Sequence, residues 1–338
     1  MTLENGAFAA ARNGELVVEL GRTDQPALIF SGTKGLVAIC LLLLIERGQL
    51  ELDAPLARYW PGFRHRDVLV RHVVSHTAGM PGLRPPPTLE EILDGGRMAA
   101  RLATDPPIFA AGERLAYHAL TFGALCGELV RRIDGRTVGK FFAEDVARPL
   151  ELELWIGLPP EVEPRVARLE LAPGYRVTGE PGPLLDALYG ALLHGFPWNE
   201  PAFHAAEIPA ANAIGTARSI ALLYGRLDTI LRPETIRLGR TELARGACAV
   251  TGFPYAFGVG FELQTELGRL GPPANAFGHT GSGGSLHGAW PDERVGFSYV
   301  PTELRSWETD DRAQRLLSAL HAGDLEATAC TRVHRSTD

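Results

Sequence analysis

The run Leu36–Ile45, LVAICLLLLI, limits most strongly how this chain folds. It is about half the roughly 20 apolar residues needed to span a bilayer, so it reads as a helix buried on every side. Such a helix needs other elements packed around it, and 338 residues supply them, either as two packed lobes or as one large α/β unit. The helix opens at Ser31-Gly-Thr-Lys34 and ends near Gly48, which stands where a C-terminal cap glycine belongs.

Composition excludes several classes. With 45% hydrophobic and 22% charged residues, the chain matches an ordinary globular protein and not a disordered one. Its 33 basic residues against 40 acidic ones give −7, with no basic stripe, which argues against nucleic acid as a partner. The start MTLENGAFAA carries Glu4 and lacks a basic, then apolar, secretory pattern, so a cytoplasmic protein that does not enter membranes is expected. Cys40, Cys126, Cys248 and Cys330 are widely spaced without a Cys-x-x-Cys pair, so reduced thiols and no metal are expected.

Strand patterns occur at Glu15–Leu20 and Ala27–Phe30, then at Phe257–Leu263, Ser285–Trp290 and Arg294–Val300. Between them, helices are predicted near 67–75, 89–103, 118–133, 137–147 and 217–231, with a last one at 309–322. Proline and glycine thicken at 79–87, 159–164 and 172–183, marking long connections. The predicted fold is therefore α/β in the α+β sense: an antiparallel sheet flanked by helices and interrupted by a helical insertion. Residues 1–60 and 235–338 would form the sheet lobe and 61–234 the mainly helical lobe, with the active site in the cleft between them.

Ser31 and Lys34 stand three apart in the first turn of the apolar helix, on one face. A serine hydroxyl needs an adjacent base to act as a nucleophile. The helix start disfavours an ammonium, which pushes Lys34 toward its neutral, basic form. Only two of the basic residues are lysines, Lys34 and Lys140, so a lysine at this position calls for a reason that arginine cannot meet. The alternative is an ordinary N-cap serine followed by a solvated lysine. Farther on, Gly278-His-Thr-Gly-Ser-Gly-Gly-Ser285 lets backbone approach a ligand closely, but no lysine closes it as a phosphate loop. His72 and His76 lack the glutamate of a zinc-protease pair, since residue 73 is valine, and read as structural. Trp155, Tyr175, Trp198 and Phe203 read as core aromatics, and His118 as a packing residue.

Ser31-x-x-Lys34, Tyr117-His118-Ala119 and His279-Thr280-Gly281, in that order, resemble the serine hydrolases related to class C β-lactamases, penicillin-binding proteins and family VIII carboxylesterases. The stretches Gly48–Pro55, His72–Pro81 and Gly278–Ser285 extend the likeness over about residues 14 to 322. The resemblance implies that Ser31 is acylated and that Lys34 and Tyr117 share proton transfer. It also implies an oxyanion hole from the backbone N–H groups of Ser31 and Ser282, and a substrate-binding wall of His279, Thr280 and Gly281. Ala119 in place of the motif's asparagine, and His279 in place of the lactamase lysine, favour ester over β-lactam chemistry. The amino-terminal part is short for the family, which leaves one sheet edge incomplete or covered by a partner. The implied function is a carboxylesterase acting on small esters without a cofactor. A biosynthetic transacylase using the same acyl-serine is the alternative, and a β-lactamase or a non-catalytic binding protein fits less well. A small ester or acyl compound is the expected partner, and an oligomer is compatible with the sequence.

Overall fold

The computed structural model describes residues 3–176, 185, 188, 196–306 and 309–325. Among these, eight strands form one antiparallel sheet: β1 Gly6–Arg12, β2 Glu15–Gly21, β3 Ala244–Ala247, β4 Pro254–Phe257, β5 Glu262–Leu263, β6 Phe277–Thr280, β7 Leu286–Trp290 and β8 Val295–Pro301. Their spatial order is β2-β1-β8-β7-β6-β5-β4-β3, so the two ends of the chain meet where β1 pairs with β8. β1 escapes the sequence patterns because GAFAAAR lies between two strands with both faces covered, leaving no polar alternation to read. β2, paired with β1, forms the edge at the side expected to be incomplete. The predicted strand 257–263 is two strands joined by a tight turn, in which Gly260 takes φ +75°.

Alternation along β1 divides the core. Ala7, Ala9 and Ala11 face a large cluster containing helix α1, Thr33–Glu46, while Phe8 and Ala10 face Leu316, Leu317 and Leu320 of the final helix. Every α1 residue from Thr33 to Leu44 is buried, as a helix with no polar face requires. Helix α2, Thr121–Asp134, packs on α1, and Gly48 at φ +69° follows its C-terminal end. Helix α3, Ala217–Gly225, lies on β1 and β8, although the sequence reading placed 217–231 in the helical lobe. Predicted helix 89–103 breaks at Asp94, whose carboxylate accepts from the N–H groups of Gly96 and Arg97 and starts a new helix. Cys40, Cys126 and Cys248 are free and buried, and Cys330 lies outside the described residues. No described helix is long and apolar enough to cross a membrane.

α3 approaches α1 closely at one point. A Cβ on Gly35 would overlap the hydroxyl of Tyr224, which is buried without a hydrogen-bond partner among the described residues. Gly35→Ala is therefore expected to lower stability by about 1–3 kcal/mol in denaturant unfolding. Adding Tyr224→Phe should restore most of that loss.

Candidate active site

The chain enters α1 through a short 3₁₀ turn, Phe30–Gly32, and Phe30 has φ +50°. For a residue with a Cβ this left-handed conformation costs roughly 1–2 kcal/mol. Its surroundings hold it there. The Phe30 ring packs edge-on against Trp198 at 5.0 Å. Thr33 Oγ1 donates to the Phe30 carbonyl at 2.6 Å and accepts from Ala213 N–H at 2.9 Å. The turn leaves half-buried Ser31 in a cavity wall and carries Lys34 inward, where it is fully buried.

Lys34 Nζ has three neighbours: the Ala119 carbonyl at 2.8 Å, the Ala210 carbonyl at 2.8 Å and Ser31 Oγ at 3.2 Å. A neutral amine has two N–H donors and one lone pair. With the amine neutral, the two carbonyls would take the donors and the lone pair would face Ser31 Oγ. Burial pushes the amine well below its ordinary value of 10.5, and Cys126 and Glu262 oppose this only in part. The Tyr117 ring lies 4.8 Å from Nζ, in the same cavity wall as Ser31.

Two interlocked histidines position that wall. His118 Nδ1 donates to the Ala116 carbonyl at 2.5 Å, and its Nε2 accepts from Met80 N–H at 3.1 Å. His76 Nδ1 accepts from His118 N–H at 3.0 Å, and the His76 ring packs on Tyr117 at 4.8 Å. Segment 72–81 thus fixes 116–119, and with it the carbonyl that receives Lys34. Burial, reinforced by His118 and by the nearby lysine, holds His76 well below the usual imidazole value. Burial also brings His118 down to about 4, against the Ala116 hydrogen bond. The structural reading of this histidine pair stands for His72 as well, whose Nδ1 accepts from Leu69 N–H at 3.2 Å.

The third motif needs a correction. His279 is 1% exposed and lies behind the wall, with Nδ1 donating to the Thr280 carbonyl at 2.6 Å. Successive strand residues face opposite ways, so once Thr280 faces the cavity His279 cannot. Burial beside Lys34 brings its imidazole down to about 3. Thr280, Gly281 and Ser282 do line the cavity, together with Ser31 and Tyr117. Ser285 ties this segment to the Phe30–Gly32 turn by donating to the Ile29 carbonyl at 3.0 Å, and Ser285 Oγ lies 2.7 Å from His287 Nε2. Ser282 Oγ is 3.1 Å from the Tyr175 hydroxyl.

The cavity has a volume of about 230 Å³. One side is aromatic: Trp198 packs on both Phe30 and Phe196, at 5.0 and 4.6 Å. On the other side Tyr117 stacks on Tyr255 at 5.5 Å, and the Arg269 guanidinium covers Tyr255 at 5.1 Å. The sequence reading left Trp198 and Tyr175 outside the site, whereas the fold brings Trp198 into the wall and Tyr175 onto Ser282. It also missed Glu262, a 3% exposed carboxylate that accepts from Thr280 at both N–H, 3.0 Å, and Oγ1, 2.6 Å. A lone acid in an apolar strand run was the available signal.

A serine hydroxyl, a buried amine and a glycine-rich strand end thus meet at one cavity. The model of the family described as Beta-lactamase matches residues 2–321. The chain belongs to the beta-lactamase family. It is 31% identical, over 89% of its length and 77% of the relative's, to Esterase/beta-lactamase LipL of Mycobacterium tuberculosis. A penicillin-binding protein homologue from Caulobacter crescentus superposes with TM-score 0.85 at 34% identity, covering 94% of this chain and 92% of that one. A family VIII carboxylesterase does so with TM-score 0.81 at 31% identity, covering 91% and 89%. These findings make the protein a hydrolase of the beta-lactamase fold, matching the fold expected from its sequence.

An amine that accepts a proton must first be neutral, so it works above its own pKa. The rate of Ser31 labelling by a fluorophosphonate probe should rise with pH and level off well below the ordinary lysine value of 10.5. In Lys34→Arg, whose guanidinium keeps its proton, labelling should fall by about a hundredfold or more across the range.

Proposed function

We propose that this protein is a carboxylesterase that hydrolyses small esters through an acyl-enzyme on Ser31. The observation that carries this reading is the buried Lys34 amine, whose two donors are held by carbonyls and whose third neighbour is the Ser31 hydroxyl. Ser31 Oγ attacks the ester carbonyl carbon while its proton passes to Lys34 Nζ. The carbonyl oxygen becomes an oxyanion that accepts from the backbone N–H groups of Ser31 and Ser282. The carbon–oxygen bond to the alcohol then breaks. Tyr117 gives the alcohol its proton and is reprotonated from Lys34. Water repeats the cycle on the acyl-serine and releases the acid.

Three features favour esters within the family. Ala119 supplies only its backbone to the site, through the carbonyl on Lys34. His279 is neutral and buried where a lactamase presents lysine. The relatives named above include an esterase/beta-lactamase and a carboxylesterase. A cavity of about 230 Å³ with an aromatic side suits a short apolar acyl group, being below the roughly 300–1,000 Å³ of drug-sized ligand sites.

p-Nitrophenyl butyrate should be turned over with release of one butyrate per nitrophenolate, and Ser31→Ala should cut kcat by about a thousandfold or more. Full turnover by Ser31→Ala would overturn the mechanism. Acyl transfer to an alcohol is a second reading, favoured by the aromatic side, which limits where water can stand beside the acyl-serine. Added butanol separates the two: butyl butyrate at the expense of butyrate marks a transferase, and an unchanged acid yield marks a hydrolase.

A further inference from the structure

Glu262 pairs with Gly278 where β5 meets β6, its side chain reaches Thr280 two residues on, and its carboxylate is nearly sealed from solvent at 3% exposure. One oxygen accepts from both Thr280 N–H and Thr280 Oγ1, while the other lies 3.8 Å from the Arg269 guanidinium. A carboxylate only accepts and a hydroxyl has one proton, so the Thr280 proton points away from the cavity. What Thr280 presents to a substrate is an oxygen lone pair. Arg269 also lines the cavity, and the Glu262 carboxylate 3.8 Å from it pairs its charge. Both effects run the same way: a substrate carboxylate placed beside Thr280 meets an acceptor and not a donor, and the Arg269 charge next to it is already paired with Glu262.

The wall also has a defined position. It is the side that carries Tyr117, through the stack of Tyr117 on Tyr255 and of Tyr255 under Arg269, and it stands apart from the Phe30–Trp198–Phe196 side. In the mechanism above Tyr117 protonates the departing alcohol, so this is the side on which the alcohol lies.

We infer that Glu262 is a positioning residue that sets alcohol specificity: by orienting the Thr280 hydroxyl and neutralising Arg269 it selects esters of neutral alcohols over esters whose alcohol carries a carboxylate. The inference rests on the esterase reading and adds a substrate class to it.

The test compares two aryl esters with the same acetyl group, methyl 3-acetoxybenzoate and 3-acetoxybenzoate, whose leaving phenols differ in one negative charge. The wild-type enzyme should favour the neutral ester in kcat/KM. In Glu262→Gln, which keeps the side-chain shape but removes the charge, the ratio of neutral to anionic kcat/KM should fall by about tenfold, the scale of one charge-assisted hydrogen bond. Arg269→Met provides the opposite shift and an independent reading should Glu262→Gln fail to fold: the unbalanced carboxylate should raise the ratio. Using the ratio within each variant cancels general damage to the fold and the intrinsic reactivity of the two phenols. Ratios that do not move in the folded variants overturn the inference and leave the esterase reading intact. If wild-type enzyme hydrolyses neither ester and carries no acetyl adduct on Ser31 by intact mass, the esterase reading fails, and this inference with it.

Discussion

Taking one amine out of water governs the rest of this structure. A buried ammonium is expensive: burial pushes the Lys34 amine toward its neutral form, and Nζ donates to the carbonyls of Ala119 and Ala210. Those carbonyls come from segments separated by 85 and 176 residues from the lysine, so no local element could supply them. The helical insertion between the halves of the sheet brings both to the same place. The uniform apolar character of α1 has the same origin, because the helix that presents the amine must itself be sealed on all sides.

Sealing extends to the neighbours. Near Lys34 stand three buried imidazoles, His76, His118 and His279, each held in its neutral form by burial and each penalised further by any positive charge on the lysine. The coupling is mutual, since a proton gained by any one of them raises the cost of a proton on the others. Burial thus disfavours a positive charge on each of these four nitrogen bases, which is what the proposed proton transfer from Ser31 to Lys34 requires. Backbone hydrogen bonds fix a tautomer as well: His118 is pinned by the Ala116 carbonyl at one nitrogen and the Met80 N–H at the other.

The parts of the fold legible in the sequence were those with local signals. The Ser31 and Lys34 spacing is one helical turn, the apolar run announces a sealed helix, and β7 and β8 alternate or carry β-branched residues between turns. β1 was not legible because a strand covered on both faces loses its period. Trp198 and Glu262 were unreadable as site residues for a different reason: their roles are set by contacts with Phe30 and Thr280, and nothing in their own neighbourhood records this. His279 is instructive, since strand alternation alone says that it and Thr280 cannot both face the cavity. The family motif treats them as a unit, and the backbone separates them.

Because Phe30 holds a left-handed backbone, lineages and laboratory libraries have few residues to try at that position. β-Branched side chains are nearly excluded from such a conformation, while glycine fits the backbone but surrenders the ring that Trp198 rests on. Phe196 and Trp198 carry no positive φ and are free of that veto. The shape of this aromatic side is therefore open to change at Phe196 and Trp198, while the Phe30–Gly32 turn has little room to vary.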